Sequence, residues 1–221
     1  LILSVEEIAG RARSGELDLS ELLDFAESSV FSVTQEGTAL DWEQLSQVVD
    51  RAFLDIQARA ERGADVAGVP TGFSDLDALL AGLHPTDLVI LAARPGMGKT
   101  ALALNIAANA ASSGAGVGLF SLEMSRAQLA TRMLCSQARV DSNKVRTGCL
   151  SKERDWPRLT DAAEVLYRLP LYIDDSPALS ITQVRSKARR LKTLNPDLAV
   201  VMVDYIGLMV GDPRVSRERQ V

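Results

Sequence analysis

The sequence predicts an α/β fold with a mostly parallel sheet, preceded by an α-helical segment that lacks a core of its own. Three observations predict it. From Gly68 onward, short apolar runs alternate with helical patterns, as βα units do. The run Leu88–Asn105, LVILAARPGMGKTALALN, reads as strand, glycine-rich turn and amphipathic helix in that order. Leu198–Asp204, LAVVMVD, is nearly unbroken in apolar residues, like a parallel strand covered on both faces.

The 221 residues, 47% of them hydrophobic, suffice for one substantial domain with an extension. The sequence opens on Leu1 and stops at Val221 after a charged run, so it is expected to be part of a longer protein. With 24 basic and 29 acidic residues the net charge is −5, which gives no overall pull toward nucleic acid. Cys135 and Cys149 lack metal-ligand spacing and read as free thiols in a reducing cytoplasm. No apolar run approaches the ~20 residues of a membrane span, and no secretory signal is seen.

In order along the chain, residues 1–35 read as helical. Leu19, Leu22, Leu23, Ala26, Val30 and Val33 form a stripe at helical spacing that Phe31 widens, with Asp18 or Ser20 as cap. Such a helix either packs on its own domain or docks on a neighbouring subunit. Residues 36–67 hold a second helix, Asp41–Glu61, with Leu45, Val48, Val49, Ala52, Phe53 and Ile56 on one face and an Asp41/Gln44 capping box. Residues 68–221 hold the alternating units. Ser74 is expected to cap a helix through Leu80. A strand Leu88–Ala92 leads to a helix Lys99–Ala111. Strand Gly116–Ser121 precedes helix Ser125–Arg139, and Asp141–Arg146 is a short helix. Ser151–Arg168 is helical, with Pro157 in its first turn or kinking it. Strand Leu171–Asp174, helix Ser180–Leu194 and strand Leu198–Asp204 complete the order.

The chemistry concentrates after the Leu88 strand. Gly96 and Gly98 allow a tight turn, and amides from Gly96 to Ala101 can form an anion nest at a helix N-terminus. Arg94, Pro95, Gly96, Met97, Gly98, Lys99, Thr100 and Ala101 are the candidate nucleotide-binding residues. Lys99 would reach the β- and γ-phosphates, and the Thr100 hydroxyl would sit on Mg²⁺. Ala93 stands at the first glycine position of the G-x-x-x-x-G-K-[ST] pattern. A chance GKT is the competing reading, which the flanking strand and helix disfavour. Asp204 ends an apolar strand, where parallel sheets bind ligands, and can hold Mg²⁺ directly or through water. Glu123 follows another strand and can orient or deprotonate a water, or simply favour the Ser125 helix dipole.

ARPGMGKTALALN, SLEMS, KVRTGCL (144–150), YIDDSP and VMVDYIGLM occur in this order. The chain thereby closely resembles the replicative DNA helicase DnaB family, from about Val69 to Met209, with 19–33 similar to that family's linker helix. The resemblance implies a RecA-like P-loop ATPase core and a ring-shaped homo-hexamer that hydrolyses ATP with Mg²⁺ and translocates on single-stranded DNA. It implies phosphate and Mg²⁺ binding by Lys99 and Thr100, Glu123 as catalytic base and Asp204 as the Walker B acid. It further implies docking of the linker helix Leu19–Val33 on the adjacent subunit, a primase and a helicase loader as partners, and a bacterial cytoplasmic or nucleoid location.

Ala93 occupies a position where the family has alanine or glycine. Gly207 stands where it usually has a glutamine that senses the γ-phosphate. Glycine has no side chain for that task, so nucleotide state is expected to be signalled to DNA differently here. The arginine finger and most DNA loops are expected beyond Val221, so this stretch alone should bind nucleotide but hydrolyse it poorly. Arg214, Arg217 and Arg219 are candidate DNA-phosphate contacts in a channel loop, or part of a solvated tail. Arg185, Lys187, Arg189, Arg190 and Lys192 crowd one helix as a solvated face or a contact surface. His84 reads as a solvated loop residue, and Trp42, Trp156 and Tyr167 as packed aromatics. Two other functions compete: a RecA-fold ATPase of repair or regulation without helicase activity, and a nucleotide-sensing oligomerisation module.

Overall fold

The computed structural model describes residues 2–15, 21–26, 29–30, 44–62 and 67–210. The chain divides into two units, Leu1–Ala64 and Asp65–Val221. The predicted caps Asp18, Ser20 and Asp41, the stripe residues Leu19, Phe31 and Val33, Trp42, and Arg214, Arg217 and Arg219 lie outside the described residues.

The first unit is helical where described. Helix α1 (Ile2–Ser14) buries no residue. Its Arg11 pairs with Glu7 one turn back at 3.2 Å and lies 4.0 Å over the Phe25 ring, which ties α1 to the helical stretch 21–26. Helix α2 (Leu45–Arg62) begins where the Gln44 carbonyl accepts from the amides of Gln47 and Val48. Leu45, Val48, Val49, Phe53 and Ile56 are all exposed along it, as are Leu23 and Val30 of the preceding stretch. Helical spacing aligned these apolar residues, and they stand exposed among the described residues of this unit.

The second unit is built on three parallel strands, β1 (Gly116–Ser121), β2 (Leu171–Asp174) and β3 (Leu198–Asp204), in the order β2-β1-β3. Register pairs Phe120 with Asp174 across β1 and β2, and Ser121 with Asp204 across β1 and β3. The helices are α3 (Ser74–Leu80), α4 (Lys99–Ser112), α5 (Arg126–Ala138), α6 (Ser142–Thr147), α7 (Asp155–Tyr167) and α8 (Ile181–Leu194).

Alanines on α4 let its axis come close to the sheet: Ala107, Ala110 and Ala111 pack on Val117 with Leu171, Val200 and Met202 around them. Toward the strands' carboxyl ends, Leu104 of α4 meets Leu119, Leu129 and Met133, flanked by Ile173 and Met202. A smaller cluster, Ala138, Val140 and Ala162, joins α5 to α7. Ser125 and Ser180 each close a full capping box, with Gln128 and Gln183 as their reciprocal partners. Pro157 sits in the first turn of α7, where its missing amide costs no helical bond.

Four expectations are corrected. Leu88–Ala92 is not a strand: among the described residues it has no ladder partner, and Leu88, Val89, Ile90 and Leu91 are exposed. A strand exists only where a neighbour satisfies its amides and carbonyls, and β3 is bonded to β1 alone. β3 is accordingly covered on one face, because Val201 and Val203 stand exposed opposite the side that packs on α4. Ser74 opens α3 without capping it. That turn is held by buried Asp77, which accepts from the Thr71 amide and hydroxyl (both 2.7 Å) and from the Gly72 amide (3.0 Å). Trp156 and Tyr167 are exposed, the latter at the last residue of α7, past the turns that face α5.

Candidate nucleotide-binding site

The glycine-rich turn ends in α4 by a backbone device. Gly96 and Gly98 have φ of 79° and 88°, left-handed values that a β-carbon disfavours. Gly98 caps α4 through its carbonyl, which accepts from the Leu102 amide at 2.9 Å; no side chain caps the helix. The amides of Lys99, Thr100 and Ala101 therefore lack an intrahelical acceptor at the positive end of the helix dipole. Arg94, Pro95 and Met97 are exposed around this turn, and the Arg94 carbonyl accepts from the Met97 amide.

Two side chains of this turn converge on β3. Thr100 Oγ1 donates to Asp204 Oδ2 at 2.7 Å, and Lys99 Nζ lies 3.1 Å from Asp204 Oδ1. Asp204 is buried, and each of its carboxylate oxygens meets a donor. The fold makes this contact because α4 crosses the sheet with its first turn at the carboxyl end of β3. The Lys99 ammonium also lies 4.0 Å from the centroid of the Tyr205 ring, a cation–π distance.

Glu123 follows directly from the same strand ends. The Leu122 amide donates to the Asp204 carbonyl at 2.8 Å, so Glu123 leaves the sheet one residue later. Ser121 Oγ fixes that turn by donating to the Met124 carbonyl at 2.7 Å. The Glu123 carboxylate is exposed. Lys99, Thr100 and Asp204 are thus in direct contact, whereas Glu123 shares their end of the sheet without touching them.

Several supporting residues had no assigned role in the sequence. Arg126, the first residue of α5, grips Asp175 with its backbone amide (3.0 Å) and guanidinium Nε (2.8 Å). This ties the Glu123–Ser125 turn to the end of β2, and the Arg126 side chain holds the Asp175 carboxyl down at about 2. Lys187 Nζ donates to Asp174 Oδ2 (2.7 Å) and Ser176 Oγ (2.9 Å). Burial works to raise the Asp174 carboxyl, but these hydrogen bonds prevail and hold it below the usual range. The acid pair Asp174–Asp175 at the end of β2 was the available signal, since Asp174 ends a strand as Asp204 does. Lys192 donates to the Pro196 and Leu198 carbonyls, so Lys187 and Lys192 of α8 both serve the fold. Asn109 of α4 donates to the Thr71 carbonyl and joins the P-loop helix to the Asp77 turn. Cys135 and Cys149 are free; burial pushes the Cys135 thiol up, with Asp141 adding to it.

The chain is similar to known proteins. A family model described as the DnaB-like helicase C terminal domain matches residues 68–221. The chain is 38% identical over 221 residues to replicative DNA helicase DnaC of Bacillus subtilis (strain 168), covering 100% of this chain and 48% of that protein. It is 42% identical over 198 residues to replicative DNA helicase DnaB of Haemophilus influenzae (strain ATCC 51907 / DSM 11121 / KW20 / Rd), covering 87% and 42%. The chain spans about half the length of these curated relatives. Among solved structures, one described as an ATPase domain aligns with a TM-score of 0.71 at 31% identity, over 78% of this chain and 62% of that one. A DnaB-like replicative helicase, described with its interactions with primase, aligns at 0.71 and 27% identity over 99% of this chain and 51% of that one. These neighbours agree with the expected RecA-like α/β core.

Proposed function

Because this chain belongs to the DnaB-like helicase C-terminal domain family, we propose that it is the ATPase part of a replicative DNA helicase. In this reading the full-length protein hydrolyses ATP to translocate on single-stranded DNA and unwind duplex. The observation that carries it is the meeting of Lys99 and Thr100 with Asp204, 104 residues after Thr100, at the open N-terminus of α4. A lysine, a hydroxyl and a carboxylate around free helix amides form a triphosphate-binding arrangement.

Lys99 and the amides of 96–101 bind the β- and γ-phosphates, with Arg94, Pro95 and Met97 shaping the turn. Thr100 and Asp204 would hold Mg²⁺, whose oxygen preference their hydroxyl and carboxylate fit; the bound cation would neutralise charge on the phosphate oxygens. Among the described residues no group of three or more His, Cys, Asp or Glu could hold a metal, so this pair would rely on phosphate and water for its remaining ligands. Glu123 orients a water and takes its proton as the oxygen attacks the γ-phosphorus; the bond to the ADP oxygen breaks, leaving ADP and phosphate.

Residues 1–35 and 36–67 lead into the ATPase domain 68–221 in this reading. The segment Leu19–Val33 would dock on the next subunit of a homo-hexamer, supported by the exposure of Leu23. Arg214, Arg217 and Arg219 contact DNA phosphates, and primase and a loader act on the assembled ring. No described helix is long and apolar enough to cross a membrane, and work on DNA in the bacterial cytoplasm or nucleoid suits this role.

The test is ATP hydrolysis and strand displacement by the full-length protein, with and without single-stranded DNA. DNA is expected to stimulate hydrolysis, and Glu123→Gln to lower it by about 10²–10⁴ while nucleotide binding persists. An unstimulated rate that Glu123→Gln leaves unchanged would overturn the proposal. Hydrolysis without strand displacement would favour a RecA-fold ATPase of another kind.

A further inference from the structure

Tyr205 and Gly207 follow Asp204 at the mouth of the site, and neither has an assigned task. The Tyr205 ring lies against Lys99, 4.0 Å from ammonium to centroid, while Asp204 Oδ1 holds the same ammonium at 3.1 Å. Lys99 is thus clasped between a carboxylate and an aromatic face, with its side chain three-quarters buried. The ring can occupy this place because of what is missing two residues on. A β-carbon at Gly207 would meet Tyr205 Cε2 at 2.8 Å and Cδ2 at 3.3 Å. Gly207 is not at positive φ, so its backbone would accept a side chain; only the ring forbids one.

We propose that Tyr205 is a positioning residue that latches Lys99 onto Asp204 in the nucleotide-free site, and that Gly207 is the space the latch needs. The inference rests on the nucleotide-site reading above. To meet the β- and γ-phosphates the ammonium must leave Asp204, and it must slide off the ring to do so. The latch stabilises only the free state and so competes with nucleotide. A cation–π contact near the surface corresponds to about a two- to fivefold change in an equilibrium constant. Gly207 thus acts through the ring's position, without itself reading the γ-phosphate.

The test is equilibrium binding of a fluorescent ADP analogue, with Mg²⁺, to full-length wild type, Tyr205→Leu, Tyr205→Phe, Gly207→Ala and Lys99→Ala. Tyr205→Leu deletes the ring, and Gly207→Ala pushes it aside without touching Lys99. Both are expected to tighten binding about two- to fivefold. Tyr205→Phe, which keeps the aromatic face, should bind like wild type, a rescue that loss of packing would not produce. Unchanged or weaker binding in both Tyr205→Leu and Gly207→Ala, with Lys99→Ala strongly impaired, would overturn the latch and leave the nucleotide site standing. Wild-type affinity in Lys99→Ala would remove the site itself and the latch with it.

Discussion

Leu129→Ala tests whether the P-loop helix and the helix behind Glu123 share one closed core. Leu129 is 1% exposed and meets Leu104 of α4, Leu119 of β1 and Met133 of its own helix. The substitution removes three carbon atoms, which at about 0.8 kcal/mol per buried methylene amounts to ~2.4 kcal/mol of transfer free energy. Neighbours on two helices and a strand, backed by Ile173 and Met202 on the other strands, leave little room to collapse, so a cavity contribution adds to this. The expected loss is about 3–4 kcal/mol, within the range of buried Leu→Ala changes. Leu129→Met, which conserves volume, should cost less than about 1.5 kcal/mol. Urea titration in a Trp42→Phe background, where Trp156 of α7 is the remaining tryptophan reporter, measures both at constant slope. A Leu129→Ala loss no larger than that of Leu129→Met would refute the closed core.

The acid limb of stability should contain a contribution from Arg126. Asp175 falls from an ordinary 3.8 to about 2 in the folded chain, so its contribution is present above pH 4 and is lost as pH falls toward 2. Urea midpoints for wild type and Arg126→Ala should therefore differ at pH 5 and converge as pH falls through about 2; a constant difference would exclude the pair as its source. Ser125→Ala removes the hydroxyl half of a capping box and should cost about 1 kcal/mol by the same titration, with Ser125→Asp close to wild type. Gly98→Ala forces a β-carbon to φ 88°, where no atom lies within 4 Å of it. The cost, about 1–3 kcal/mol of backbone strain, should appear in thermal unfolding even without nucleotide. Gly10→Ala, at an unobstructed helical glycine in the first unit, should show no such loss.

Much of this molecule is legible in local sequence because the signals are local. The glycine turn, the Lys-Thr pair and the helix of 99–112 are fixed by backbone sterics and by spacing within a few residues, as are the capping boxes at Ser125 and Ser180. Asp204 was legible as a strand-end carboxylate, since an apolar run ending in an acid carries its own position. The strand expected at Leu88–Ala92 was not decided there. Its residues favour a strand, but pairing needs a neighbour's free edge, and only the folded sheet shows that β3 bonds to β1 and not to this segment. The grip of Arg126 on Asp175, 49 residues away, and the clasp of Lys99 between Asp204 and Tyr205 are likewise tertiary facts. The family resemblance marks Gly207 only as a missing glutamine. The structure makes it room for an aromatic ring, because whether an absent side chain is a loss or a space depends on what stands about 3 Å away.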